Sequence, residues 1–218
     1  MLIGVKKRFV FVANTKAAST SIEAALIDQA EIHRGGSPAR KHISLREALR
    51  EYRFLFGQEE HRPRHFLKFG VMRDPIDWIG SWFRYRKGNK VDQPLPAGMT
   101  FAEFWQRADW NIRRPDGSKH LQGERFLGPK GGVMADVILP YHDLETGFAR
   151  LCEGLGLPCR LPRRNVSRLD EIGEEIDPDL RAEMRAFYAD DYALFDRIDE
   201  INAKGFARLE SRRQESGS

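Results

Sequence analysis

Two apolar stretches in the first half of the chain are each followed by a turn and then by a helical pattern. The first stretch, residues 9–12, has no polar alternation and predicts a strand that is buried on both faces. Residues 13–21 form a loop of small residues, and Ile22, Ala25 and Leu26 then follow helical spacing. The pattern therefore predicts a strand, a loop and the N-terminus of a helix.

A second unit of the same kind occupies residues 65–83. Asp74 suits a helix N-cap and Pro75 suits the first helical position, so the strand is expected to end at Arg73. The Arg73 guanidinium would then project into the crevice at the carboxyl end of the strand. Ser81 would lie two turns into the following helix.

The alternation of strands and helices predicts a three-layer α/β fold, P-loop-like, with a central parallel sheet flanked by helices. The 218 residues support a single domain over residues 1–210 and a disordered tail at 211–218. Residues 87–100 indicate a flexible connection, and residues 113–132 are either a long loop or a substrate-facing insertion. Further helices are expected at residues 43–56, 101–112, 143–156, 178–189 and 190–210.

The loop at residues 13–21 has the chemistry of an anion-binding site. Free backbone N–H groups and the positive end of the helix dipole face outward at such a junction. Lys16 adds a full charge, and three hydroxyls can donate hydrogen bonds, those of Ser19, Thr20 and Ser21. The loop has no glycine, so it does not match the ATP-binding P-loop. The alternative is an ordinary junction in which Ser and Thr only cap the helix.

A second phosphate would find its partners at Arg73 and Ser81. A guanidinium at the strand end and a hydroxyl on the facing helix can together hold a phosphate by bidentate hydrogen bonding. Two phosphate sites on one sheet edge indicate a bis-phosphorylated nucleotide.

These two motifs together resemble those of the sulfotransferases that use 3′-phosphoadenosine 5′-phosphosulfate (PAPS). The resemblance is carried by residues 15–23 (TKAASTSIE), by Arg73-Asp74-Pro75 and by Ser81. Residues 41–47 (KHISLRE) are similar to the Lys-His element of the carbohydrate-type branch, sulfotransferase family 2. Residues 136–158, 165–167 and 188–195 extend the resemblance over most of the chain, whereas Thr15 stands where the family commonly has proline.

The resemblance implies a role for each matching residue. Lys16 would contact PAPS near the bridging oxygen, and Arg73 and Ser81 would bind its 3′-phosphate. The 5′-phosphate would be cradled by Ala17, Ala18, Ser19, Thr20 and Ser21. The product would be 3′,5′-adenosine bisphosphate (PAP), and no metal is expected.

The reaction that the resemblance implies is an in-line displacement at sulfur by a hydroxyl or amine of an acceptor, which the family branch suggests is a carbohydrate or glycoconjugate. His42 is the predicted general base, because imidazole titrates near neutral pH. Its competitors are Glu47, His33, His61 and His65. No nucleic-acid partner is expected, and the acceptor and the oligomeric state stay open.

Two other functions also stay open. A P-loop-like kinase would need ATP, a magnesium site and a glycine-rich loop. A non-catalytic protein that binds a nucleotide or polyanion would keep Lys16 and Arg73 but tolerate loss of His42.

Composition and charge change this picture little. The chain is 41% hydrophobic and 31% charged, as soluble globular proteins are, and its formal net charge is +4. Nine Lys or Arg against four Asp or Glu lie between Arg34 and Lys68, and Arg84, Arg86, Lys87 and Lys90 form a second basic group. These charges could serve the donor, an anionic acceptor such as a glycan, or solubility alone.

The cysteines and the hydropathy bear on location. Cys152 and Cys159 match no zinc spacing and are expected to be reduced thiols. No apolar run approaches the roughly 20 residues that a membrane span needs, and no signal peptide is evident. The sequence therefore predicts a cytoplasmic protein without a transmembrane segment.

Aromatic residues form two further groups. Trp78, Trp82 and Tyr85 lie at i, i+4 and i+7, a stripe that predicts core packing rather than adenine stacking. Trp105 and Trp110 are candidates for an acceptor pocket, because sugars stack on aromatic faces.

Overall fold

The computed structural model describes residues 1–88, 91–157, 161–162 and 176–216. Within these ranges the centre of the fold is a single five-stranded sheet. Its strands are β1 (Leu2–Gly4), β2 (Phe9–Phe11), β3 (Ile32–His33), β4 (Leu67–Met72) and β5 (Val137–Pro140). The strands lie in the order β3-β1-β2-β4-β5.

The sheet is parallel at one side and antiparallel at the other. Strands β2, β4 and β5 run parallel, with Phe69 of β4 opposite Phe11 of β2 and Val137 of β5. Strand β1 pairs antiparallel with both β2 and β3. The prediction of a parallel sheet is therefore correct for β2, β4 and β5 and wrong for the β1–β3 edge. Only residues 5–8 join β1 to β2, and a parallel pair needs a much longer crossover.

Helices cover both faces of this sheet. They are α1 (Ser19–Leu26), α2 (Pro38–Lys41), α3 (Leu45–Glu51), α4 (Arg53–Phe56), α5 (Pro75–Gly88), α6 (Phe101–Arg107), α7 (Leu144–Leu155), α8 (Pro178–Phe187), α9 (Ala189–Phe195) and α10 (Ile198–Ser216). Phe9 and Phe11 pack with α1 and α7 on one face, whereas Val10 and Val12 pack with α3 and α4 on the other. Residues 9–12 are fully buried, so the predicted two-sided burial is confirmed.

Several helix boundaries differ from those predicted. The segment 43–56 is divided into α3 and α4 at Tyr52. The last predicted helix is divided between α9 and α10, and α10 continues to Ser216, so residues 211–216 are helical where a frayed tail was expected. Asp74 caps α5 as predicted, since its Oδ1 accepts hydrogen bonds from the N–H groups of Ile76 and Asp77 at 2.9 and 3.1 Å.

Helix α10 approaches β5 closely at Gly205. A Cβ at this position would overlap the backbone of Asp136 and lie 2.8 Å from Cγ2 of Val137. We expect Gly205→Ala to lower the free energy of unfolding by about 1–3 kcal/mol, because the helix would have to move away from the sheet. Urea denaturation measures this free energy of unfolding. Gly88→Ala is the matched control, since no atom of the described part of the chain lies within 4 Å of its added Cβ. Equal stability of the two variants would contradict the close contact at Gly205.

Two further observations concern the helices and the cysteines. No helix in the described ranges has both the length and the apolar character that a membrane span requires. Cys152, buried in α7, is disulfide-bonded, so the prediction of a reduced thiol is wrong at this position. The spacing argument excluded a zinc site but had no bearing on a disulfide. Cys159 lies outside the described residues.

Candidate active site

The carboxyl ends of β2, β4 and β5 carry the polar residues of one cavity. Lys16 follows β2, Arg73 follows β4 and Tyr141 follows β5, and all three line a cavity of about 330 Å³. The wall is completed by further predicted residues, Ala18, Ser19, Thr20, Ser21, His42 and Ser81. Ala17 is the exception, because its side chain is buried in the core beneath the loop. The parallel part of the sheet thus brings the two predicted phosphate motifs together.

The loop between β2 and α1 is held in an uncommon conformation. Lys16 and Ala18 are left-handed, with φ of 56° and 52°, which costs a non-glycine residue about 1–2 kcal/mol. Helix α1 begins directly after Ala18, and no side chain caps it. The alternative in which Ser and Thr only cap the helix is therefore wrong. Within the described ranges the N–H of Ser21 already donates to the carbonyl of Ala18 at 3.0 Å, so the N–H groups of Ser19 and Thr20 are the ones left for a ligand.

The Lys16 ammonium lies against aromatic rings. Its Nζ is 3.8 Å from the ring centroid of Tyr85 and 5.8 Å from that of Trp82. Burial lowers the pKa of Lys16 to about 8, and the nearby charges of Arg73 and Arg84 add to this effect. An anion bound beside the three cations would reverse that charge effect and favour the protonated lysine.

Arg73 is a buried cation with unused donors. It is 2% exposed, and its Nε and Nη2 have no hydrogen-bond partner within the described ranges. Its guanidinium carbon lies 4.3 Å from the ring centroid of Tyr141. Burial of a charged donor without a partner is costly, so this position in the cavity wall points to an anionic ligand. Ser81, 3% exposed, lines the same wall from α5.

The backbone of Arg73 is fixed by Gln122. Gln122 Nε2 donates to the carbonyl of Arg73 at 2.8 Å, and Gln122 Oε1 accepts from the N–H of Arg73 at 3.1 Å and from Asn14 Nδ2 at 3.0 Å. Asp191 of α9 accepts from the N–H groups of Gln122 and Gly123 at 2.9 and 2.8 Å. Burial raises the pKa of Asp191 to about 6. The segment 113–132 thus contacts the strand end that carries Arg73.

His42 is oriented by a hydrogen bond to the strand that precedes the Lys16 loop. Its Nδ1 lies 2.8 Å from the carbonyl oxygen of Ala13, and a carbonyl can only accept, so Nδ1 carries the proton. The Nε2 lone pair is then available as a base. Burial lowers the pKa of His42, and the charges of Lys41 and Arg125 add to the effect, which favours the neutral imidazole. Lys41 itself pairs with Glu23 of α1 at 2.7 Å.

The four competing bases lie elsewhere. Glu47 accepts hydrogen bonds from the N–H and hydroxyl of Ser44 at 2.8 and 2.7 Å in the capping box of α3. His33 is on β3 at the antiparallel edge, His61 lies 2.9 Å from Arg8, and His65 is exposed. None of the four lines the cavity. Of the candidate bases considered from the sequence, only His42 does.

A second cavity of about 520 Å³ adjoins the first. The two share wall residues, which are Thr15, Pro38, His42, Trp82 and Tyr85. The second cavity also includes His120 and Arg125, which the sequence did not suggest as site residues. Both come from the segment 113–132, so this segment does face the ligand side of the molecule. His42 lies where the cavities meet.

The aromatic residues divide between the core and the cavities. Trp78 is fully buried, as predicted, and its Nε1 donates to the carbonyl of Thr15 at 2.8 Å. Trp82 packs in the core as predicted, although it also lines both cavities. Tyr85 is 38% exposed and lines both cavities, so the prediction of core packing is wrong for this residue. Trp110 lines the second cavity as suggested. Trp105 is 5% exposed and donates to Glu183 at 2.8 Å, away from both cavities.

Three other features bear on the predicted site: a third cavity, possible metal ligands and residues 165–167. A cavity of about 780 Å³ near Lys7, Arg8 and Arg212 is lined by His65, one of the competing bases, but by none of the residues predicted to bind PAPS. Within the described ranges no cluster of three or more His, Cys, Asp or Glu side chains could hold a metal ion. Residues 165–167, predicted from family position alone, lie outside the described residues.

The family comparison covers most of the chain. A family model described as "Sulfotransferase family" matches residues 2–196. A search of curated proteins and a search of solved structures each give no match. The matched range contains both cavities and the residues that follow β2, β4 and β5.

Proposed function

The chain belongs to the sulfotransferase family, and from this premise we propose that it transfers a sulfuryl group from PAPS to a hydroxyl or amine of an acceptor. The observation that carries the choice of donor is Arg73, a buried guanidinium with unpartnered N–H groups in the wall that also contains Lys16. A nucleotide with only a 5′-phosphate chain would engage the loop alone. The 3′-phosphate of PAPS would also pair with Arg73.

In the proposed donor site, the two phosphates of PAPS are bound by different parts of the fold. The backbone of Ala17 and Ala18 and the start of α1 would hold the 5′-phosphate through free N–H groups, assisted by the hydroxyls of residues 19–21. Arg73 and Ser81 would hold the 3′-phosphate. Lys16 would approach the bridging oxygen, where negative charge develops as the sulfur–oxygen bond breaks. PAP is then the product.

Transfer would take place where the two cavities meet. The acceptor oxygen or nitrogen attacks sulfur while the bond from sulfur to the bridging phosphate oxygen breaks. His42 Nε2 takes the acceptor proton as the new bond forms. Trp82, Tyr85 and Trp110 give the second cavity an aromatic wall, which supports a carbohydrate or glycoconjugate as the acceptor.

Calorimetry with PAP, ADP and ATP, each with and without magnesium, tests this proposal before an acceptor is known. We expect PAP to bind without magnesium and to bind more tightly than ADP. Preference for magnesium–ATP would favour a kinase. Binding of PAP together with normal transfer by a His42 variant would contradict the assigned mechanism, and binding of PAP without transfer to any acceptor would favour a non-catalytic nucleotide-binding protein.

Arg73→Gln is expected to weaken PAP binding by roughly 10- to 150-fold, because a hydrogen-bonded charge pair contributes about 1.5–3 kcal/mol. ADP affinity should change little, since ADP lacks the 3′-phosphate. Arg46→Gln is the matched control, because Arg46 is exposed on α3 and lines neither cavity. Equal losses for PAP and ADP would show that Arg73 does not recognise the 3′-phosphate.

The pH dependence of kcat/KM for PAPS should be bell-shaped. The base must be neutral, so the rate is lost as the pH falls through the lowered pKa of His42, below the ordinary 6.5. Lys16 must be charged, so the rate is lost as the pH rises through its pKa of about 8. Bound phosphates stabilise the ammonium, so the alkaline limb of kcat should lie higher than that of kcat/KM. Coincident alkaline limbs would exclude Lys16 as their source.

The remaining parts of the proposal concern organisation and location. We propose a single domain over residues 1–210 with a P-loop-like arrangement of loop and sheet, and a cytoplasmic location. An extracytoplasmic location is the second candidate, and the disulfide at Cys152 favours it, because disulfides persist mainly in oxidising compartments. Cell fractionation combined with thiol labelling would decide between the cytoplasm and an oxidising compartment.

A further inference from the structure

We propose that the acceptor carries an anionic group, a carboxylate, sulfate or phosphate, which Arg125 binds beside the hydroxyl or amine that His42 deprotonates. This inference rests on the proposed function and names the class of its acceptor. It concerns the second cavity, whose wall contains both Arg125 and His42.

Arg125 is a cation whose nearest acidic neighbours are engaged with other groups. Glu47 accepts the capping-box hydrogen bonds of Ser44, and Glu124 pairs with Arg114. Within the described ranges the Arg125 side chain makes no hydrogen bond or ion pair, and only its backbone N–H is engaged, with the carbonyl of Gln122 at 3.1 Å. The charges of Glu47 and Glu124 act on the guanidinium from a distance. A half-buried guanidinium that faces a cavity in this state is suited to an anion from outside the chain.

The other charged residues of the wall differ from Arg125. Arg86 is already paired, because its Nη1 donates to Asp109 at 2.9 Å and to Asn111 at 2.7 Å. Asp92 is the only carboxylate among the described wall residues, and it can accept hydrogen bonds from acceptor hydroxyls. Arg125 is therefore the wall cation that remains for an anionic group.

Arg125 is also close enough to act on the reacting centre. Both side chains line the second cavity, and the charge of Arg125 contributes to the lowered pKa of His42. Trp110 and Trp82 flank the same cavity and are 5.1 Å apart between ring centroids. An acceptor ring against these aromatics, with its anionic group on Arg125, would present a neighbouring hydroxyl to His42.

Binding of small probes to the PAP-saturated protein, followed by ligand-observed NMR, tests this assignment. The probes share one sugar ring and differ in charge: glucose, glucuronate, glucose 6-sulfate and glucose 6-phosphate. We expect at least one anionic probe to bind ten-fold or more tightly than glucose. Arg125→Gln should abolish that preference, Arg125→Lys should retain part of it, and Arg46→Gln should leave it unchanged. The three anionic probes distinguish which group is recognised.

Equal binding of glucose and the anionic probes, absence of binding by every anionic probe, or a preference that survives Arg125→Gln would each overturn the assignment. PAP affinity is measured in the same samples and reports whether each variant is folded. Failure of the wild-type protein to bind PAP would refute the proposed function as well. Normal PAP binding without any preference for an anion would refute only the acceptor class.

Discussion

Replacement of His42 by alanine is expected to lower kcat by roughly 100- to 10,000-fold, the range that a positioned general base contributes. The hydrogen bond of Nδ1 to Ala13 leaves the imidazole Nε2 free for the proposed role of base, and His42 lies where the two cavities meet. PAP affinity should remain close to that of the wild-type protein. Transfer of labelled sulfate from PAPS to an acceptor found by screening measures kcat, and calorimetry measures PAP binding.

The controls for this variant are two other histidines. His65→Ala removes an exposed imidazole that lines neither cavity, so transfer should be unchanged. His120→Ala examines the other imidazole that lines the second cavity. Burial lowers the pKa of His120 as it does that of His42, and its Nδ1 lies 3.3 Å from the carbonyl of Trp110. Near-normal transfer by His42→Ala together with loss of transfer in His120→Ala would move the role of base to His120.

Replacement of Lys16 by methionine is expected to lower kcat by roughly 100- to 1,000-fold, comparable to the removal of one donor that stabilises a developing negative charge. Methionine keeps an unbranched apolar side chain against Tyr85 and Trp82 but removes the ammonium. Because the bridging oxygen gains charge only as sulfur departs, kcat should fall further than the KM for PAPS rises. Steady-state kinetics with a fixed, saturating acceptor measures both.

Lys204→Met is the corresponding control, because Lys204 is exposed on α10 and, among the residues that the structure describes, its ammonium pairs with Glu200 of the same helix alone. A Lys16 variant with normal kcat and a raised KM would show that Lys16 binds PAPS equally in the ground state and the transition state. That result would show that Lys16 contributes to PAPS binding but not to the chemical step.

Local sequence patterns predicted the parts of the site that lie at the ends of strands. The uninterrupted apolar run at residues 9–12 identified a buried strand, and Asp74-Pro75 identified the start of α5. The position of Arg73 follows from these two assignments. Arg73 directly precedes the N-cap residue Asp74, so it must lie where the strand ends. The positions of Lys16 and Arg73 in one cavity then depend only on β2 and β4 being parallel neighbours.

The parts that were not predicted depend on long-range packing. Tyr141 follows β5 directly, yet its role appears only when the stacking with Arg73 is seen. Gln122 and Arg125 lie in an irregular segment without periodicity, so no local signal distinguishes them from its other polar residues. Strand β1 has three residues and β3 has two, which is too short for a pattern of alternation to identify the antiparallel edge.

The hydrogen bonds of Gln122 have a consequence for chimeric proteins. The segment 113–132 contributes His120 and Arg125 to the second cavity. Under the proposed function it is therefore the natural segment to exchange when acceptor specificity is to be altered. Its Gln122 side chain, however, holds both backbone groups of Arg73, and Asp191 holds Gln122 in turn. A transplanted segment without this glutamine would disturb the donor site along with the acceptor site. Grafts that keep Gln122 and Gly123 and vary the residues on either side allow acceptor choice to be redesigned independently of nucleotide binding.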